Sequence, residues 1–226
     1  MKVLLFFLFA FASMLLASPD DDWNVIVAMD AGPAVKPANV AEARKFGKAH
    51  FVKHQALIEE FIKSHPSDSR IFDARLRLAG ILAATGKMEK KQTLVDDAMR
   101  MLQALEKDKS IPLDKRADAG FRRVSLYMQC LDSRENESRR DIVTAARNFQ
   151  SRYPNDRRTP RLLVEVATVC DNAPDLKREL LDAALATSPD DSLKRRIADD
   201  LKRLDLIGKP LPFLLKTIQG RSIEVS

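Results

Sequence analysis

The sequence is poor in several things at once. Among 226 residues it has seven glycines, two cysteines, one tryptophan and two tyrosines, and aromatics make up 6%. Alanine, leucine, arginine, lysine and aspartate are plentiful instead, the palette of helices packed on helices. It has no Gly-rich phosphate loop, no Gly-x-Ser-x-Gly and no carboxylate pair in a recognisable setting. That removes the common phosphate-cradling and serine-nucleophile chemistries, and no cofactor is expected. The longest apolar stretch, Val3 to Leu16, is about 14 residues, short of the ~20 that span a bilayer.

That stretch still carries information. "MKVLLFFLFAFASMLLASPDDD" places one lysine before the apolar run and three acids after it. This is the layout of a secretory signal peptide over residues 1–17, cut after Ala17; an uncleaved N-terminal anchor is the other reading. No cysteine follows the run, so a lipid anchor is not expected. The body is expected to be exported, periplasmic or extracytoplasmic, with no stable membrane span once the signal is removed.

The net charge of +6 comes from 38 basic residues mixed among 32 acidic ones. Interspersed charge reads as solvated helix faces. The pairs Arg139-Arg140, Arg157-Arg158 and Arg195-Arg196 have no interleaved aromatics and are flanked by acids. No nucleic-acid partner is therefore expected.

Residues 18–40 read as a short helix and a linker. Ser18 can cap it, Pro19 suits the first turn, and Asp20 to Asp22 complement the positive end of the dipole. Trp23, Ile26 and Val27 fall on one face. Residues 41–207 then repeat themselves. "FIKSHPSDSR" from Phe61 lies over "FQSRYPNDRR" from Phe149 at an offset of 88, with His65 facing Tyr153. "LVDDA" from Leu94 matches "LLDAA" from Leu180, and "FRRVSL" from Phe121 matches "LKRLDL" from Leu201. Helices are expected near 41–63, 70–85, 88–107 and 112–131, then near 136–152, 158–172, 174–187 and 189–206. The fourth carries the stripe Ala117, Phe121, Val124, Met128 and Leu131 at helical period. Short loops and a two-fold repeat predict an all-α fold: a tetratricopeptide-like α-solenoid of about eight antiparallel helices. Ala74, Ala79, Ala83, Ala84, Ala167 and Ala183 would let helix axes approach closely.

The tail breaks the pattern. Gly208 can end the last helix; "LPFLLKTI", "QGR" and "SIEVS" then read as a short β-hairpin over 208–226. "IGKPLPFLLKTIQGRSIEVS" resembles the opening segment of the TlpA-like thioredoxin-fold family of exported thiol–disulfide oxidoreductases. The helical region before it is similar to the N-terminal extensions of some members. The resemblance implies that 208–226 begins a truncated thioredoxin-like domain, with the family's Cys-x-x-Cys beyond Ser226. This chain would then position the redox domain or bind its client. It carries no catalytic motif of its own. A self-contained periplasmic tetratricopeptide-like scaffold that binds a protein partner is the alternative.

Cys130 and Cys170 are candidates for a disulfide, since both fall near helix ends and an oxidising compartment permits pairing. Buried unpaired thiols are the other reading. His50 and His54 are four apart, the spacing of a metal pair. No Glu follows His50 and no third ligand is evident, so no metal site is expected.

Overall fold

The computed structural model describes residues 18–130, 135–209, 213–216 and 222–225. The expected signal segment 1–17, Leu131 of the fourth stripe and the Gln219–Arg221 turn lie outside the described residues. The fold is helical. In chain order come α1 (Pro19–Ala28), α2 (Val40–Ser64), α3 (Ile71–Glu89), α4 (Gln92–Lys107), α5 (Leu113–Cys130), α6 (Asn136–Arg152), α7 (Thr159–Thr168), α8 (Pro174–Ala186) and α9 (Asp191–Asp205). Two four-residue strands follow, β1 (Phe213–Lys216) and β2 (Ser222–Val225), with Phe213 opposite Val225 in antiparallel register. Among the described residues no helix is long and apolar enough to cross a membrane. Contacts divide the chain into two compact units, residues 1–85 and 86–226, with the division falling inside α3.

In the first unit, α1 starts as its residues dictate. Ser18 Oγ accepts from the Asp21 N–H at 3.1 Å, and Pro19 occupies the first position, where no donor is needed. The helix packs on α2 through a narrower stripe than the sequence suggests. Ile26 is fully buried and the Trp23 ring lies 5.3 Å from Phe61, but Val27 is 40% exposed. Ten residues give under three turns, enough to seat only one row of side chains. Asn39 caps α2 by accepting from the Glu42 N–H at 2.9 Å, and the Glu42 carboxylate reaches back to the Ala38 N–H at 2.9 Å.

In the second unit each helix from α4 to α9 packs on the next. Val124, Ile142, Ala146, Phe149, Leu162, Leu163, Val166, Leu181 and Ile197 have no exposed surface and form one core. Several helix ends differ from expectation: α3 runs on to Glu89 where an end near 85 was expected, and α4 starts at Gln92 rather than near 88. α7 stops at Thr168, because the Val169 and Cys170 N–H groups bond three residues back, to Val166 and Ala167 carbonyls at 3.1 Å, and tighten the turn. α9 starts at Asp191. Asp190 is its cap, accepting from the Leu193 N–H at 2.8 Å, and Ser188 sits in the left-handed region at φ 56°.

The sequence repeat at offset 88 is a repeat of geometry. The α2–α3 corner and the α6–α7 corner match bond for bond. His65 and Tyr153 leave their helices at φ −126°, ψ 55° and φ −130°, ψ 59°, each donating its N–H to the phenylalanine four residues back at 2.9 Å. Asp68 Oδ1 accepts from the Arg70 backbone N–H (2.8 Å) and Nε (2.7 Å), and Oδ2 from Nη2 (2.7 Å). Asp156 holds Arg158 through the same three groups at 2.9, 2.9 and 2.6 Å. The remaining nitrogen, Nη1, reaches an aspartate on another helix: Asp20 of α1 at 2.8 Å for Arg70, and Asp118 of α5 at 2.6 Å for Arg158. Three residues after each of those aspartates stands an aromatic. Trp23 packs on Phe61, and Phe121 packs on Phe149 at 6.1 Å. The guanidinium of Arg70 lies 5.7 Å from the Trp23 ring and that of Arg158 lies 4.8 Å from Phe121. These hydrogen bonds hold the Asp68 carboxyl down to about 2, and depress Asp156 in the same direction.

α1 is therefore the counterpart of α5 at its corner. The two corners differ at one place. His65 Nε2 meets Asp22 of α1 at 2.9 Å. Asp22 corresponds to Gly120, which has no side chain. A Cβ at Gly120 would stand 3.1 Å from the Glu106 carboxylate, so the glycine opens the space that Glu106 of α4 fills.

Candidate functional site

Beside the α6–α7 corner lies an open groove of about 1070 Å³. One wall is the corner itself, with Asn155, Arg157 and Arg161; the other is the α8–α9 turn, with Ser188, Leu193 and Arg196. Most charges here are already spent. Arg158 is committed to Asp156 and Asp118, Arg161 Nε donates to Glu165 at 3.0 Å, and Asp190 caps α9. Arg157 and Arg196 are exposed, and among the described residues no acid pairs with either. The groove thus presents two uncompensated guanidinium groups, three prolines and Leu193. It can hold an extended segment with acidic side chains.

The three arginine pairs of the sequence part company. Arg139 donates to Asn136 and Arg195 Nε to the Asp191 carbonyl at 3.2 Å, both on their own helices. Arg157 and Arg158, adjacent in sequence, have opposite roles: one faces solvent and the other locks the corner.

No protein-family model matches the chain. No curated protein matches it either. The site therefore stands on its own geometry.

Cys130 is the last residue of α5 and half-buried; Cys170 lies just past α7 and is fully buried, its Sγ donating to the Val166 carbonyl at 3.6 Å. Both are free thiols in this structure. Burial raises both thiol pKa values, with nearby Lys87 opposing the rise at Cys130 and Arg139 opposing it at Cys170. A raised pKa keeps a thiol protonated and a poor nucleophile.

His50 and His54 stack edge to face at 5.8 Å on α2. His54 is buried, its Nε2 has no hydrogen-bond partner, and the Asp30 carboxylate is 4.0 Å away. Burial depresses its pKa; Asp30 opposes the shift, and His50 and Arg77 add to it. Among the described residues no three His, Cys, Asp or Glu side chains could hold a metal together.

Sequence reasoning missed one charged cluster. Glu106 of α4 is buried. Its Oε2 accepts from Arg123 Nε at 2.9 Å and Nη2 at 2.8 Å, and its Oε1 from Arg152 Nη1 at 2.8 Å. Glu106 falls one turn after Leu102 on the buried face of α4, so a charged residue on that apolar stripe is the signal that could have found it. Sequence reasoning placed Asp20 at the start of α1 without its pairing to Arg70, and it missed Asp118. The spacing Asp-x-x-aromatic at 20–23 and 118–121 is the signal that could have found them.

Proposed function

We propose that this chain is the exported helical-repeat region of a TlpA-like thiol–disulfide oxidoreductase, a tetratricopeptide-like solenoid that positions the redox domain or binds its client. The observation that carries the reading is the change of structure after α9. Gly208, at φ 75°, follows the last helix, and two strands then pair antiparallel. The chain around them reads Gly-Lys-Pro-Leu-Pro-Phe, and a solenoid has no use for such a strand pair. The repeated Asp–Arg corner supports the solenoid half of the reading, since stacked repeats reuse the same connection. On this reading β1 and β2 form the hairpin that opens the thioredoxin-like domain, and neither Cys130 nor Cys170 takes part in disulfide exchange.

The test is the coding sequence beyond the codon for Ser226. A β-branched strand followed by Cys-x-x-Cys at a helix N-terminus is expected, where the dipole lowers the attacking thiol's pKa. Unrelated sequence in every forward frame would sink the redox reading. The groove beside the α6–α7 corner favours the second reading, a self-contained scaffold that takes up an acidic segment of a partner protein.

A further inference from the structure

We propose that a second cleft, where the end of α4, the start of α5 and the end of α6 meet, binds a phosphate or sulfate group. The cleft is about 290 Å³, lined by Lys107, Lys109, Leu113, Arg116, Arg152 and Tyr153 around the buried Glu106. Its charges do not balance. Glu106 is the one carboxylate in the wall, and both of its oxygens are taken by Arg123 and Arg152. Arg116 brings another guanidinium and has no acid to meet. Its Nε is buried and donates to no acceptor. The acids closest in sequence, Asp108 and Asp114, do not line the cleft, and Asp108 accepts from the Ser110 N–H at 2.9 Å and Oγ at 2.6 Å.

A buried N–H without an acceptor is a standing cost, and a guanidinium carries it with a full charge. An oxyanion removes both deficits at once, because the planar fork of arginine donates two parallel N–H bonds to phosphate or sulfate oxygens. The surroundings suit the same ligand. Lys107 and Lys109 stand at the rim as two further cations. Leu113 is the first residue of an 18-residue helix, so the positive end of the α5 dipole lies at the cleft. Tyr153 adds a neutral donor, since burial, reinforced by Glu106, raises its pKa and keeps the phenol protonated. The groove beside the α6–α7 corner is closer to balance: Asp156, Glu165 and Asp190 stand among its arginines, and its two unpaired guanidinium groups, those of Arg157 and Arg196, belong to exposed residues.

Titration calorimetry on the full chain, with inorganic phosphate and sulfate at fixed ionic strength and chloride as the matched salt, tests the assignment. Both oxyanions should bind with Kd below about 1 mM and chloride should give no heat. Arg116→Gln should weaken binding at least tenfold with the helical circular dichroism unchanged. Lys109→Gln, on the exposed rim, should weaken it two- to threefold and stands in if Arg116→Gln does not fold. Glycerol 2-phosphate separates the sources: binding as tight as phosphate assigns the cleft to a phosphate carried on a larger molecule, and weaker binding assigns it to the free ion. No binding, equal heat with chloride, or an affinity unchanged by the variants overturns the proposal.

Discussion

His54, in the interior of α2, is a residue at which the two sequence repeats diverge in chemistry. At the repeat offset its counterpart is Ile142, a fully buried core residue. The imidazole is held in the same kind of place with Nε2 unsatisfied. Burial lowers its pKa in the folded chain, whereas in the unfolded chain it titrates near its ordinary value of about 6.5. The unfolded state therefore takes up the proton first as pH falls, and stability is lost from about pH 6.5 down to the depressed folded value. His54→Ile removes both the unsatisfied nitrogen and this titration. It should stabilise the chain by about 1–3 kcal/mol near pH 7, the range for an unpaired buried polar group. The gain over the parent should widen between pH 7 and pH 5. Thermal melts at four pH values read it, and a gain that stays constant with pH would mean that His54 does not carry the acid sensitivity.

Helices α4 and α5 depend on an absence. Gly120 sits in the interior of α5, where alanine would ordinarily be better by about 1 kcal/mol. A Cβ there would stand 3.1 Å from both Cδ and Oε1 of Glu106 and 3.2 Å from Phe149. Neither neighbour can yield, because Glu106 is clamped at both oxygens and Phe149 is fully buried. Gly120→Ala should cost about 1–3 kcal/mol, as overpacking does. Gly80, in α3 with nothing within 4 Å of its Cβ position, is the contrast, and Gly80→Ala should stabilise by about 1 kcal/mol. Urea midpoints moving the same way in both variants would refute the steric account. The pair also marks where the sequence was readable. The corner residues Phe61, Pro66, Asp68 and Arg70 recur at one offset because every bond among them is local. Their partners on α1 and α5 recur at another, since Trp23 precedes Phe61 by 38 residues and Phe121 precedes Phe149 by 28. A search at a single offset cannot see both. The partners of Glu106 were invisible for the same reason: they are 17 and 46 residues away.

At the scale of the whole chain, the core of the second unit runs from Ala117 to Ile197, with Leu201 and Leu204 packed against it. Among the described residues, no later one joins that cluster. A chain ending at Ile207 should keep its helical circular dichroism and cooperative melt, and collapse of either on truncation would place the boundary of the helical region elsewhere. The helices were readable from periodicity because each buries a stripe of its own. The ends of α7 and α9 were not, since a three-residue turn bond and a cap one residue beyond a proline leave no trace in hydrophobic spacing. The duplicated Asp–Arg ring has a use of a different kind. In each unit an arginine Nε proton is pinned between a guanidinium and an ionised carboxylate, and such a proton trades with water slowly. Arg70 and Arg158 are thus a matched pair of exchange clocks, one in each unit, and whichever signal fades first under mild denaturant names the unit that opens first.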